Sequence, residues 1–266
     1  MIQLYNSLTR TKEDFVPLVE DEVKMYVCGV TVYDDSHLGH ALSIIIFDVL
    51  TRYLEYRDFK VRKVQNFTDV DDKIINRATR DDVPWEEITE KYIESFYESI
   101  DGLNVRRATV EPRVTEDMPE IIALIQRLID GGAAYELNGS VYYRVRNKSD
   151  YGKLSGQNID EMLAASGADV ESGKEDPADF ALWKAVKPDE PKWESPFGPG
   201  RPGWHIECSA MAFKHLGEQI DIHCGGLDLI FPHHENEIAQ SESASGRTPF
   251  SSVWMHNGML RIADGQ

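Results

Sequence analysis

Residues 23–56 constrain the fold of this chain more than any other stretch. Residues 23–28 form an apolar run of the length of a buried strand. Residues 29–37 are rich in turn formers, and residues 38–56 carry long apolar runs with polar breaks, which predicts a mostly buried helix. Strand, loop and helix in that order make the first half of a βαβ unit, and so predict an α/β fold with a parallel sheet. Cys28 ends the strand, where open α/β sheets place ligand contacts. His37-Leu38-Gly39-His40 opens the helix, where unpaired backbone N–H groups and the helix dipole favour a phosphate. Gly39 lets a nucleotide lie close to the backbone. Two imidazoles three apart on one turn can donate to a phosphate as charge builds there. Taken alone, the tetrapeptide also suits a plain helix cap with two surface histidines.

The remaining sequence repeats the alternation and then interrupts it. Residues 1–22 read as an extended arm. Residues 60–67 are strand-like and lead into an acid-rich helix start at Thr68–Lys73, followed by a helix over 85–103 opened by Pro84. Residues 115–130 are an amphipathic helix stopped by Gly131-Gly132. Asn138-Gly139 inside 134–145 signals a hairpin. Residues 158–177 read as a polar, mobile loop, and 180–186 as a strand. The glycines and prolines packed into 195–203 exclude regular structure there. A helix over 204–216, a strand over 220–223, a helix start at 232–237 within 231–245, and a last strand over 253–262 complete the chain. The expected organisation is a first half of a nucleotide-binding domain over 1–112, an insertion over 113–200, and a second half over 201–266.

Composition narrows the setting. No apolar run approaches a membrane span, and the first ten residues carry no signal-peptide pattern. Three cysteines give no disulfide framework, so a cytoplasmic setting without membrane partners is expected. A net charge of −18 argues against wrapping bulk nucleic acid, though not against a local basic patch. Solubility accounts for that charge as readily as any partner does.

Cys28, Cys208 and the His233/His234…Glu237 group are candidate zinc ligands, since zinc takes sulfur, nitrogen and oxygen donors. His233 and Glu237 are spaced i,i+4 and share a helix face; His234 and Glu237 at i,i+3 also converge. No C-x-x-C occurs. Cys208 alternatively suits a buried helix position. Cys224, in a glycine turn after a strand, is a further candidate thiol.

Residues 25–40, 66–73, 203–208, 220–228 and 231–240, in that order, resemble the cysteinyl-tRNA synthetases. The resemblance implies a class I synthetase fold: a Rossmann-like (HUP-type) parallel sheet split by a connective insertion. It implies that His37, Leu38, Gly39 and His40 are the "HIGH" signature, with His37 and His40 catalytic. Ser43, Gly226, Leu227 and Asp228 would lie at the adenylate. Cys28, Gly29, Thr31, Asn66, Thr68 and Trp204 would line a cysteine pocket. One zinc per chain would be held by Cys28, Cys208, His233 and Glu237, which selects His233 over His234. The implied activity is ATP- and Mg2+-dependent conversion of L-cysteine to cysteinyl-adenylate, then transfer to tRNA(Cys), by a monomer in the cytoplasm. Zinc would take the substrate thiol and leave serine without a ligand.

The chain departs from the family pattern at Leu38, Val30 and Leu42, where Ile, Pro and Arg are usual. It also ends at Gln266, about where the second signature, "KMSKS", and then the anticodon-binding domains follow in the family. A chain ending there is expected to be impaired in forming the adenylate and in holding tRNA. Two alternatives share the core: a mycothiol-pathway ligase joining cysteine to an amino sugar, and a non-catalytic zinc- or nucleotide-binding module derived from a synthetase. His223 and the run HENEIAQSE fit the tRNA ligase better.

Overall fold

The computed structural model describes residues 1–160, 173–188 and 190–260. The chain forms two compact units, each discontinuous in sequence. The first opens with strands β1 (Gln3–Asn6), β2 (Thr11–Asp14) and β3 (Glu22–Thr31), then helix α1 (Leu38–Tyr56), β4 (Lys60–Thr68), α2 (Asp72–Asp81) and α3 (Trp85–Gly102). The second contributes α4 (Met118–Asp130), β5 (Ala134–Leu137), β6 (Ser140–Tyr143), β7 (Phe180–Ala185), β8 (Gly200–Pro202) and α5 (Trp204–Leu216). The chain returns to the first unit for β9 (Ile220–Gly226), to the second for α6 (Glu235–Ser245), and to the first for β10 (Ser251–Asn257).

The first unit is built on a parallel sheet of order β10-β9-β3-β4. Its strands are apolar on both faces because helices cover such sheets. Val23, Met25, Val27, Ile222 and Cys224 pack with Phe47 and Leu54 of α1. Phe67 packs with Ile74 of α2 and Ile88, Tyr92 and Phe96 of α3. The connection from β3 through α1 runs outward to β4, whereas β9 lies on the other side of β3 and runs outward to β10. The crevice at the carboxyl ends of β3 and β9 is therefore a topological switch point, where open α/β sheets bind ligands.

Several sequence expectations are corrected here. Residues 1–22 are not a bare arm: β1 and β2 pair antiparallel. Asn6 fastens this ribbon to β10, with its Oδ1 accepting from the Trp254 N–H at 3.1 Å and its Nδ2 donating to the Ser252 carbonyl. Helix α1 is not mostly buried. Ile44, Phe47, Thr51 and Leu54 face the core, while Ile45, Val49, Tyr53 and Tyr56 are exposed. The last strand starts at Ser251 and ends at Asn257; Arg261 and Ile262 of the expected 253–262 strand lie outside the described residues.

The second unit contains an antiparallel sheet of order β5-β6-β7-β8. Its hairpin turn is Asn138-Gly139, both at positive φ (52° and 80°), as a type I′ turn requires. Residues 195–203 do contain regular structure, contrary to expectation. Strand β8 pairs with β7, Gly200 opposite Ala185 and Pro202 opposite Trp183. Pro202 is tolerated because β8 is an edge strand. Gly200 is required by close approach: a Cβ there would lie 2.3 Å from the Lys184 carbonyl oxygen. Of the expected 158–177 loop, residues 161–172 lie outside the described residues.

His256 on β10 links this fold to pH. Burial first, and the neighbouring His223 second, push its imidazole down to about 3 from 6.5. Its Nδ1 lies 2.8 Å from the Ser7 hydroxyl. A histidine whose folded value is depressed contributes stability that is complete above its unfolded value and is lost as pH falls. Unfolding free energy should thus fall by about 1.4 kcal/mol per pH unit from this group, over the window from 6.5 towards 3. Urea midpoints measured between pH 7.5 and 4 should show this slope, and His256→Gln should flatten it; identical profiles for the two proteins would refute it.

Candidate functional site

In the first unit, the carboxyl ends of the parallel strands carry most of the residues singled out above. The register of β3 against β4 slips between Val27 and Val30, a bulge that holds Cys28 and Gly29 out of the ladder. Gly29 is irreplaceable in this geometry, because a Cβ would sit 1.5 Å from the Asn66 carbonyl oxygen. The Asn66 side chain clasps the bulge. Its Oδ1 accepts from the Gly29 N–H at 2.9 Å and from the Tyr26 hydroxyl at 3.1 Å, and its Nδ2 donates to the Thr68 hydroxyl at 3.3 Å. Thr31 stands opposite Thr68 at the same strand ends. Cys28 is half-buried there.

Helix α1 starts as the sequence implies, and its tetrapeptide forms a helix cap. His37 is the N-cap, and its Nδ1 accepts from the N–H groups of Gly39 and His40 at 3.1 and 3.3 Å. Its ring stacks on that of His40, centroids 3.7 Å apart. His40 Nδ1 is buried without a hydrogen-bond partner. Burial, then the His37 charge, holds His40 below the usual imidazole range, against the opposing pull of Asp228. Leu38 is exposed, and Ser43 lies half-buried further along α1. At the end of β9, a Cβ on Gly226 would lie 2.4 Å from Asp228 Oδ1, so that carboxylate folds back over the glycine. Leu227 between them is exposed.

In the second unit, α5 and the kinked segment Ile230–His234 before α6 assemble a buried donor cluster. Gly203 caps α5, and a Cβ there would strike the Ala181 carbonyl oxygen at 2.0 Å. Trp204 and Cys208 follow one turn apart on α5. His233 Nε2 lies 3.0 Å from Glu237 Oε1, and His234 Nε2 lies 4.0 Å from the same oxygen. His233, His234 and Glu237 offer ligand atoms within 4.8 Å of one another. Cys208 lies close enough to His233 to act on its imidazole. Trp204 covers His233 by stacking, centroids 4.2 Å apart. Cys208, His233, His234 and Glu237 are all buried. Both histidines of the sequence ambiguity are thus present at Glu237, with His233 the nearer.

Burial opposes a charge on His233, but Glu237 and Cys208 outweigh it and raise the imidazole to about 10. Soft sulfur, borderline nitrogen and hard oxygen in one dry place is a donor set that fits zinc.

The surroundings hold this cluster rigidly. Helix α6 is mostly polar yet buried: Glu235, Asn236, Glu237, Gln240, Ser241 and Glu242 all lie inside. Each is met by a partner. Glu235 accepts from the Leu154 and Ser155 N–H groups, Asn236 from the Tyr151 hydroxyl, and Glu242 from Lys148 and Lys153. Gln240 Nε2 donates to the His205 carbonyl oxygen and, at 2.7 Å, to the Ser209 hydroxyl. The sequence reading missed His205, whose Nδ1 lies 3.0 Å from His233 Nδ1. Its only signal was position, beside Trp204 and three residues before Cys208. Burial first, and the His233 charge second, hold His205 well below the usual imidazole range.

The family described as "tRNA synthetases class I (C) catalytic domain" matches residues 14–266. A curated protein of Caldicellulosiruptor saccharolyticus, named cysteine–tRNA ligase, is 58% identical over 261 residues, covering 98% of this chain and 56% of that protein. One of Clostridioides difficile with the same name is 57% identical over 263 residues, covering 99% of this chain and 56% of the other. The chain thus spans little more than half the length of these relatives. Among solved structures, Mycobacterium tuberculosis methionyl-tRNA synthetase in complex with methionyl-adenylate superposes with a TM-score of 0.66 at 13% identity, over 89% of this chain and 57% of that one. At that identity the likeness speaks for the Rossmann-like fold alone. No described helix is long and apolar enough to cross a membrane.

Proposed function

The chain belongs to the cysteine-type class I tRNA synthetases, and from that premise we propose that it forms the part of a cysteine–tRNA ligase that binds cysteine and ATP. The carrying observation is the buried Cys208–His233–Glu237 cluster under the Trp204 indole. By resemblance to the family, Cys28 would be the fourth protein ligand of the one zinc. Zinc bound there supplies a position that a cysteine thiolate can fill and a serine hydroxyl fills poorly.

The chain's own groups then bind and orient. By resemblance to the family, Trp204, Gly29, Thr31 and Thr68 would serve the amino-acid substrate. Asn66 spends its oxygen on Gly29 and Tyr26, so its part is to hold the bulge in place. The N-terminus of α1 faces the triphosphate, its dipole favouring the anion, and His40, kept neutral by burial, donates one ring N–H to it. Asp228 and Gly226 receive the ribose side, with Ser43 and Leu227 nearby. The cysteine carboxylate oxygen attacks the α-phosphorus of ATP, whose Mg2+ accompanies it as part of the substrate; the new P–O bond forms as pyrophosphate leaves. No side chain becomes covalently attached, so rate derives from placement and charge stabilisation. The cysteinyl group passes to tRNA(Cys) in the second step. Cysteines that form no disulfide suit a reducing cytoplasm.

Calorimetric titration of the zinc-loaded protein tests the reading. Cysteine should bind at least about 100-fold more tightly than serine, the discrimination that a ligand made by one substrate alone supplies. Chelator should abolish the difference. Equal affinities would refute the assignment.

A further inference from the structure

We propose that His205 is the positioning residue of the metal centre, fixing the proton of His233 on Nδ1 so that Nε2 is left as the ligand atom. This rests on the zinc reading of the cluster and deepens it by naming the group that prepares one of the ligands.

His233 Nε2 faces Glu237 Oε1 at 3.0 Å, while its Nδ1 faces His205 Nδ1 at 3.0 Å. Two ring nitrogens at that distance share one proton, so one donates and the other accepts. A metal on His233 Nε2 leaves His233 a single proton, on Nδ1. His233 must then be the donor, and His205 must accept at Nδ1 and carry its own proton on Nε2. Only that arrangement serves both the hydrogen bond and the metal. Metal-bound imidazoles ordinarily give their second N–H to an oxygen; here a second imidazole takes that place.

His205 is itself held in position. Its carbonyl oxygen accepts from Gln240 Nε2, and Gln240 also binds Ser209, which in turn bonds Ser241 at 2.8 Å. Its ring meets Phe180 edge-on, centroids 5.4 Å apart, and leans against Trp204 at 5.4 Å. Backbone and ring are thus both constrained before any ligand arrives, and that constraint passes to His233 through one bond. Gln240 is buried in the helix that also carries Glu237, so the same element sets two of the ligands.

Two variants of His205 separate positioning from bulk. His205→Phe fills the space without an acceptor. His205→Asn places an oxygen near the position of Nδ1 and keeps one. Zinc affinity is read by competition against a chromophoric chelator, and the ligand field by the visible spectrum of the cobalt-loaded protein. His205→Phe should weaken zinc by about 10–100-fold, as loss of an outer-shell partner does, and should shift the cobalt bands. His205→Asn should restore affinity to within about threefold of the unaltered protein. Should His205→Phe fail to fold, the unaltered zinc-loaded protein still decides through nitrogen–proton correlation spectra, which should show His233 protonated at Nδ1. Normal zinc affinity in His205→Phe, or a His233 proton on Nε2 in the zinc form, overturns the inference and leaves the zinc reading intact. Absence of zinc binding by the unaltered protein overturns both.

Discussion

Cys208→Ala should leave the protein folded but strip it of zinc. The substitution removes the sulfur donor from a buried cluster and replaces it with a good helix former on α5. Loss of an outer-shell partner alone weakens a metal by about 10–100-fold, so loss of a direct ligand should exceed 100-fold. Metal content measured after dialysis should fall from one equivalent to near zero. The preference for cysteine over serine should vanish with it, because Trp204 and the remaining pocket distinguish the two substrates only by a sulfur in place of an oxygen. His233 would keep Glu237 but lose the thiol that helps to raise its imidazole. Undiminished zinc in this variant would show that Cys208 is only a buried helix residue.

Gly29→Ala should damage the first unit more than any surface change. The added methyl would sit 1.5 Å from a backbone oxygen on the neighbouring strand, which no side-chain rotation can relieve. Strands β3 and β4 would have to part where Asn66 clasps them. A cost of about 4 kcal/mol or more is expected, at the extreme of single substitutions. Gly139→Ala is the comparison: its φ of 80° strains an alanine, but the new Cβ meets only the Ala185 methyl at 3.4 Å, for about 1 kcal/mol. Denaturant midpoints of the two variants would settle the matter. Equal losses would mean that β3 and β4 have room to separate at the bulge.

The parallel sheet was legible because its strands are short apolar runs separated by helical stretches, and the Asn138-Gly139 hairpin because its two residues tolerate positive φ. Residues 195–203 misled because glycine and proline argue against strands in general, while β8 is an edge strand where both fit. The exposed side of α1 misled in the opposite sense: Ile45, Val49 and Tyr53 look like core and are not. Cys208, the His233/His234 pair and Glu237 could be named as candidates from donor chemistry and spacing, but not the surroundings that support them. A run such as HENEIAQSE has almost no apolar periodicity and reads as a surface helix. It is buried because Tyr151, Lys148, Lys153 and the N–H groups of Leu154 and Ser155 come from elsewhere to meet it, partners that no local pattern announces. His205 was hidden for the same reason: its importance lies in one contact across 28 residues of sequence.

The strand order of the first unit has a consequence for how the chain is made. Strand β3 finds β4 within a few dozen residues, but its other neighbour, β9, begins only at Ile220. At synthesis rates of about 5–20 residues per second, the interval from the end of β4 to the arrival of β9 is roughly 8–30 seconds. Throughout that time an apolar, two-sided strand presents an unpaired edge outside the ribosome, while the second unit, itself awaiting α6, is only partly assembled. Chaperone occupancy of nascent chains should therefore peak while residues 70–220 are being added and fall once β9 has emerged.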